Sequence, residues 1–319
     1  MTVSPQNQYR FRLRSSTEKV IDRGFFGLTA GFAIAIGLLL LAIGTIVTIN
    51  AMPAIQTFGL KFLVTSAWNP VQDGGIYGAL PMIYGTLVSA FLALLLAVPL
   101  GVGTAIFLSE NFIPLSVRTV LVFMVELLAA IPSVVYGLWG IFVLIPITKD
   151  VGTWLNSTLG WIPLFSTVPR GPGMLPAALV LAIMILPIIT AISRDSLASL
   201  PPELRQASLG LGATRWGTIF RILIPAAFSG IVGAVMLALG RAMGETMAVT
   251  MIIGNSNQVN VSILAPANTI SSLLANQFAE ASGLQVAALM YAALVLVIMT
   301  LIVNIMAEYI VGKIQAKYD

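Results

Sequence analysis

The sequence has no cysteine and no histidine, and only 9% of its 319 residues are charged. Without cysteine there is no disulfide and no thiolate nucleophile. Without histidine there is no imidazole acid or base and no histidine-held metal. The zinc-protease pattern H-E-x-x-H is therefore impossible, and G-x-S-x-G does not occur either. All five aspartates (Asp22, Asp73, Asp150, Asp195 and Asp319) fall outside the long apolar runs, which argues against a buried aspartyl pair. No G-x4-G-K-[ST] is present, so the chain carries no phosphate-binding loop for a nucleotide. No catalytic residue, metal or cofactor is expected, and no internal repeat or low-complexity segment is found.

Apolar residues are abundant instead. They make up 58% of the chain, and the mean hydropathy is +0.98. So few charges cannot cover the surface of a soluble domain of this size, so lipid must solvate much of it. The net charge of +4 belongs to basic residues in short segments beside apolar runs, which fits orientation in a bilayer better than nucleic-acid binding. Six runs reach the ~20 residues that a helix needs to cross a hydrocarbon core. They are Phe25–Ile49, Ala79–Leu108, Thr119–Pro146, Met174–Ile192, Ala226–Gly254 and Leu284–Ala307. The predicted fold class is an all-α integral membrane protein of about six transmembrane helices. Its parts are an N-terminal tail (1–24), a first span (25–49) and a core of the remaining five spans (79–311).

Arg10, Arg12, Arg14, Lys19 and Arg23 precede the first run as in a signal peptide, but the run is too long and lacks a small-x-small cleavage site. A retained span is expected. Lys and Arg concentrate in the tail, at Arg118, in 193–225 and at Lys313 and Lys317, whereas the alternate loops hold Lys61, Lys149 and Arg170. The positive-inside rule then puts both termini in the cytoplasm. The long loops 147–173 and 255–283 face outward. Trp154, Trp161 and Phe165 suggest helices on the outer interface in the first of them. Pro132, inside the third run, predicts a kink.

The segment 193–225 is the most informative. Pro201, Pro202 and Glu203 suit a helix start, and Leu204, Ala207 and Leu211 recur at helical spacing. Gly210 and Gly212 stop that helix, Thr214 can cap a second one, and Pro225 marks re-entry into the next span. The pattern is a helix-turn-helix platform suited to a partner's groove.

Here the residues resemble a family. Gln206-Ala207-Ser208-x3-Gly212-x9-Ile222-x-Ile224-Pro225 is similar to the coupling loop of binding-protein-dependent ABC importers, written Glu-Ala-Ala-x3-Gly-x9-Ile-x-Leu-Pro. Gln206, Ser208 and Ile224 depart from that pattern. Glu126-Leu-Leu-Ala-Ala-Ile-Pro-Ser-Val-Val-Tyr-Gly-Leu-Trp-Gly140 and Gly240-Arg-Ala-Met-Gly-Glu-Thr-Met-Ala-Val-Thr-Met-Ile-Ile-Gly-Asn255 resemble the phosphate-specific ABC permeases, in particular their larger first subunit, the PstC type. The resemblance implies a type I (MetI-like) importer architecture in a prokaryotic inner membrane. It also implies a second homologous permease, a pair of ATPase subunits that use the ATP, an extracytoplasmic phosphate-binding protein, and ATPase contact through 193–225 with Glu203 among its residues.

Arg241 and Glu245 would be costly at a helix centre facing lipid, and four residues apart they share a face and can pair. Gly230, Ala234, Ala238, Arg241, Glu245 and Ala248 form one stripe at spacings of three and four, and Gly240-x3-Gly244 adds a small-residue pair for helix approach. Two readings stand side by side. Arg241 could offer its guanidinium to phosphate with Glu245 exchanging partners, or the two could be a structural salt bridge. Glu126 is either a second partner or is satisfied by a neighbouring helix. Competing functions are import of another oxyanion such as molybdate or sulfate, and an ion-coupled carrier using Glu126 and Glu245 as proton relays.

Overall fold

The computed structural model describes residues 16–70, 75–110 and 112–315. Most of the expected tail (1–24) and of its basic residues lies outside the described residues, as does Lys317. The chain divides into two units, 1–49 and 50–319. The first holds most of α1 (Ser16–Phe58), whose apolar side chains from Phe25 to Ile49 are mostly exposed, as befits a helix solvated by lipid. This helix runs beyond both predicted ends of the first span.

The second unit begins with the last turns of α1, the short α2 (Lys61–Val64) and a two-strand hairpin, β1 (Trp68–Asn69) and β2 (Ile76–Tyr77). The hairpin has no counterpart among the sequence expectations. Aromatic packing explains it. Phe62 stacks on Tyr291 at 4.4 Å, Trp68 meets Tyr77 edge-on at 5.0 Å, and Trp68 Nε1 donates to Gln277 Oε1 at 2.8 Å.

The centre of this unit is the pairing of α3 (Leu80–Ser109) with the later helix α7 (Met174–Ala198). On α3, Ala90, Ala93, Ala97, Gly101 and Ala105 form a buried small-residue stripe at spacings of three and four. Against it lie Leu181, Ile185 and Ile189 of α7. A Cβ on Gly101 would sit 2.8 Å from Ile189 Cγ2, so the helices approach this closely only because that side chain is missing.

The third run is not a kinked helix but a broken one. Helix α4 (Leu115–Ala130) ends, Ile131 is extended, and α5 (Ser133–Trp139) starts afresh with Pro132 as its N-cap. The proline ring disfavours helical geometry at the residue before it, which turns the expected kink into a break. The Leu128 carbonyl, four residues before Pro132, instead accepts the Tyr136 hydroxyl at 2.9 Å. A π-helical turn (Gly140–Leu144) then leads into α6 (Ile145–Leu159), so the span extends well past Pro146 into the predicted loop.

After α7 come α8 (Pro202–Gly210), α9 (Arg215–Thr218), a π turn (Ile219–Leu223) and α10 (Ile224–Ala226). The chain bends by 68° into α11 (Phe228–Gly244). Helix α11 also ends earlier than predicted. Glu245 is extended, and α12 (Met247–Ile252), α13 (Ile270–Gln277) and α14 (Leu284–Gln315) complete the order. Among the described residues five helices are long and apolar enough to cross a membrane, or six if the bent pair is one span, so the fold is that of an all-α multi-pass membrane protein.

Candidate functional site

The segment 193–225 folds as a compact foot at one end of the bundle. Helix α8 stops in a Schellman turn: Gly212 has φ +84°, Ala213 N donates to Ser208 O at 3.1 Å, and Gly212 N donates to Leu209 O at 3.0 Å. Thr214 caps α9 by accepting from Gly217 N at 3.1 Å. Glu203, Gln206 and Ala207 are exposed on α8, and Leu211 beyond it is 89% exposed. Ser208 turns inward and shares a 2.8 Å hydroxyl–hydroxyl hydrogen bond with Thr218. Ile219, Leu223, Ala227 and Ile231 bury against Ala105, Ile106 and Leu197, the ends of α3 and α7, with Ile224 half-buried at the edge. Ile222 and Pro225 are half-buried as well. All the predicted residues of this segment therefore belong to one structural unit, with Gln206 and Ala207 on its free face and Ser208 at its joint.

The second place is an open cavity of ≈ 1160 Å³ between α11 and α14. Val232, Met236 and Leu237 give it an apolar wall, while Arg241, Glu245, Asn304 and Glu308 supply its polar groups. Arg241 and Glu245 both line it but form no ion pair with each other among the described residues. Ending α11 at Gly244 removes the shared helical face, which overturns the predicted i, i+4 pairing. Glu245 instead turns toward α12, and its Oε1 accepts from Ala248 N at 3.3 Å. Ser271 on α13 donates to the Met243 carbonyl at 3.3 Å, taking up one acceptor freed at the break.

Arg241 is exposed and lines the cavity. The Asn304 Oδ1 atom on the cavity wall is buried with no hydrogen-bond partner among the described residues. The predicted single stripe splits in two. Ala234 and Ala238 are fully buried in the bundle, while Gly233, Gly240 and Gly244 face open space, so Gly240-x3-Gly244 brings no described helix of this chain close.

Glu126 lies elsewhere. It is 55% exposed and sits 3.6 Å from Arg194, which also holds Asp195 at 2.8 Å. Its charge partner is thus on the neighbouring helix α7, and it forms no ion pair with Arg241 among the described residues.

Residues 97–316 match the family described as "Binding-protein-dependent transport system inner membrane component". A protein of Haemophilus influenzae named phosphate transport system permease protein PstC is 43% identical over 92% of this chain and 94% of its own. The chain belongs to this permease family. A Mesorhizobium japonicum protein of the same name is 43% identical, over 93% of this chain and 91% of its own. A Methanocaldococcus jannaschii protein named probable phosphate transport system permease protein PstC is 36% identical, over 82% and 84%.

Among solved structures, the fold resembles a bacterial alginate ABC transporter crystallised with its alginate-bound periplasmic protein. That match has a TM-score of 0.60 at 17% identity, over 93% of the permease and 97% of the other chain. An inward-facing MetNI methionine transporter chain matches with a TM-score of 0.51 at 19% identity, over 74% and 94%.

Several residues of the permease's foot escape a reading by motif. Arg205 Nε donates to Glu110 Oε1 at 3.0 Å, and its Nη2 donates to the Leu197 carbonyl at 2.9 Å. Phe107, Phe112, Trp216 and Phe220 form a ladder of rings with successive centroid distances of 6.0, 5.7 and 5.8 Å. The one sequence signal is Glu110 itself, a carboxylate two residues past the end of a long apolar run, which needs a partner if the helix end is buried.

Proposed function

We propose that this chain is the PstC-type permease subunit of an ATP-driven phosphate importer. It would line one pathway with a second, homologous permease, receive phosphate from an extracytoplasmic binding protein, and rest its foot at 193–225 on a pair of ATPase subunits. The relatives named PstC, 40–43% identical over about 92% of the chain, support the substrate. The structural observation that carries the reading is Arg241, a guanidinium on a cavity wall with no ion-pair partner among the described residues.

A guanidinium offers a planar fork of donors that matches a phosphate, and in a low-dielectric cavity such charge-assisted hydrogen bonds strengthen. Glu245 lines the same cavity but turns its carboxylate to Ala248 N, which leaves the guanidinium open to an anion. The chain itself performs no covalent step. Nucleotide-driven closure of the ATPases would displace α8, and the broken spans at Pro132 and Glu245 would let the halves of each span tilt separately. Both termini lie in the cytoplasm in this reading, because Lys and Arg crowd the foot and the segments on its side.

The test is uptake of labelled phosphate by proteoliposomes holding the four-component complex. Uptake that needs ATP, and that excess sulfate or molybdate does not displace, supports the reading. Uptake displaced equally by sulfate or molybdate assigns another oxyanion, and uptake driven by an ion gradient without ATP assigns a carrier.

A further inference from the structure

Arg205 lies on the less exposed side of α8 and does more than neutralise a charge. Its Nε donates to Glu110 Oε1 at 3.0 Å, its Nη2 to Leu197 O at 2.9 Å and its Nη1 to Leu200 O at 3.4 Å. The side chains of Arg205 and Glu110 are only 23% and 12% exposed. Glu110 is the C-cap residue of α3, and its own N–H donates to Ile106 O at 3.0 Å. Leu197 lies in the last turn of α7, where carbonyls lack intrahelical donors. One guanidinium therefore closes the ends of both helices that form the bundle's main pairing. A positive group at two helix C-termini is also favoured by both helix dipoles.

The opposite face of α8 is bare. Glu203, Gln206 and Ala207 are exposed there, while Ser208 ties α8 to α9 through Thr218. A force applied to that bare face has two exits. One runs along the chain through α9 and α10 into α11, and on this route Ile219, Leu223, Ala227 and Ile231 meet the ends of α3 and α7 through non-directional apolar contacts. The other runs across Arg205 through directional hydrogen bonds to the ends of α3 and α7. Those two helices carry the small-residue pairing on which the rest of the unit is built.

We propose that Arg205 and Glu110 are a positioning pair that transmits displacement of α8 into the joined ends of α3 and α7, coupling nucleotide hydrolysis to opening of the pathway. The proposal rests on 193–225 being the ATPase-docking foot. The pair touches neither nucleotide nor phosphate. It sets how much of each partner stroke reaches the spans.

The experiment compares wild type with Arg205→Ala, Arg205→Lys and Glu110→Gln in the full complex, reconstituted in proteoliposomes with the binding protein, labelled phosphate and ATP. The readout is phosphate taken up per ATP hydrolysed, at equal amounts of assembled complex. Arg205→Ala is expected to lower that ratio by about tenfold, the weight of a charge-assisted contact. Glu110→Gln, nearly isosteric, lowers it by about fivefold because the hydrogen bond survives without its charge. Arg205→Lys recovers part of the loss, since an ammonium can face Glu110 but cannot reach Leu197 at the same time.

A wild-type ratio in both Arg205→Ala and Glu110→Gln overturns the proposal, leaving the transport reading intact. So does lower uptake that follows lost assembly alone, with the ratio unchanged. A wild-type complex whose uptake ignores ATP overturns the transport reading, and this proposal with it.

Discussion

Replacing Thr218 by valine removes one half of the hydroxyl pair that joins α8 to α9. Ser208 Oγ and Thr218 Oγ1 are 2.8 Å apart, and the two residues are only 3% and 4% exposed. Thr218 has a second partner, the Thr214 carbonyl at 3.2 Å, whereas the Ser208 hydroxyl has no other among the described residues. Thr218→Val therefore strands a buried serine hydroxyl, which costs about 1–2 kcal/mol. Ser208→Ala leaves Thr218 satisfied and costs about 0.5–1 kcal/mol, the net value of one neutral hydrogen bond. The double variant has no stranded group, so its cost should lie below that of Thr218→Val alone. The opening of α8 is local, so hydrogen–deuterium exchange of amides 203–212 in nanodiscs is the suitable assay. Exchange should accelerate by about 5–30-fold in Thr218→Val and fall back toward wild type when Ser208→Ala is added. Strictly additive acceleration in the double variant would refute the reasoning, because it would mean the two hydroxyls do not depend on each other.

Arg241→Gln should cut phosphate uptake by about 10–100-fold while the complex still assembles, since the fork of charged donors is lost. Uptake equal to wild type would remove Arg241 from the pathway. Gly101→Leu should destabilise the bundle by about 1–3 kcal/mol, seen as a lower thermal midpoint, because its side chain meets Ile189 where no gap exists. Glu126→Gln should change stability by less than about 1 kcal/mol, as expected for a half-exposed pair at 3.6 Å. A loss of several kcal/mol there would mean that Glu126 has a stronger partner than Arg194.

The number of spans and the turn chemistry of the foot were legible because local rules decide them. A run of apolar residues needs lipid, Gly212 takes the left-handed turn, and Thr214 reaches back to an N–H three residues on. The break after Gly244 was not legible. Nothing between Gly240 and Ile252 forbids a helix, and no proline marks the spot. The break is held in part from a distance, by Ser271 on the Met243 carbonyl, a contact that depends on how the segment before α13 folds back, while Glu245 caps Ala248 locally. Pro132 does carry a local signal, but a proline alone does not separate a kink from a break. The restriction on Ile131 and the Tyr136 hydroxyl on the Leu128 carbonyl together favour the break. Arg205 was hidden for a different reason. It sits inside the recognised motif segment, but its partners Glu110 and Leu197 lie at the ends of two other helices.

The most direct measurement uses the absence of native cysteine, which makes a single Ala207→Cys a unique chemical handle on the bare face of α8. In membranes holding the whole complex, a short bifunctional crosslinker attached there should join the permease to an ATPase subunit, with a yield that changes when ATP is added. Labelling of the introduced thiol by an impermeant reagent from the outer face, or a crosslink yield to the ATPase of zero in every nucleotide state, would contradict the account.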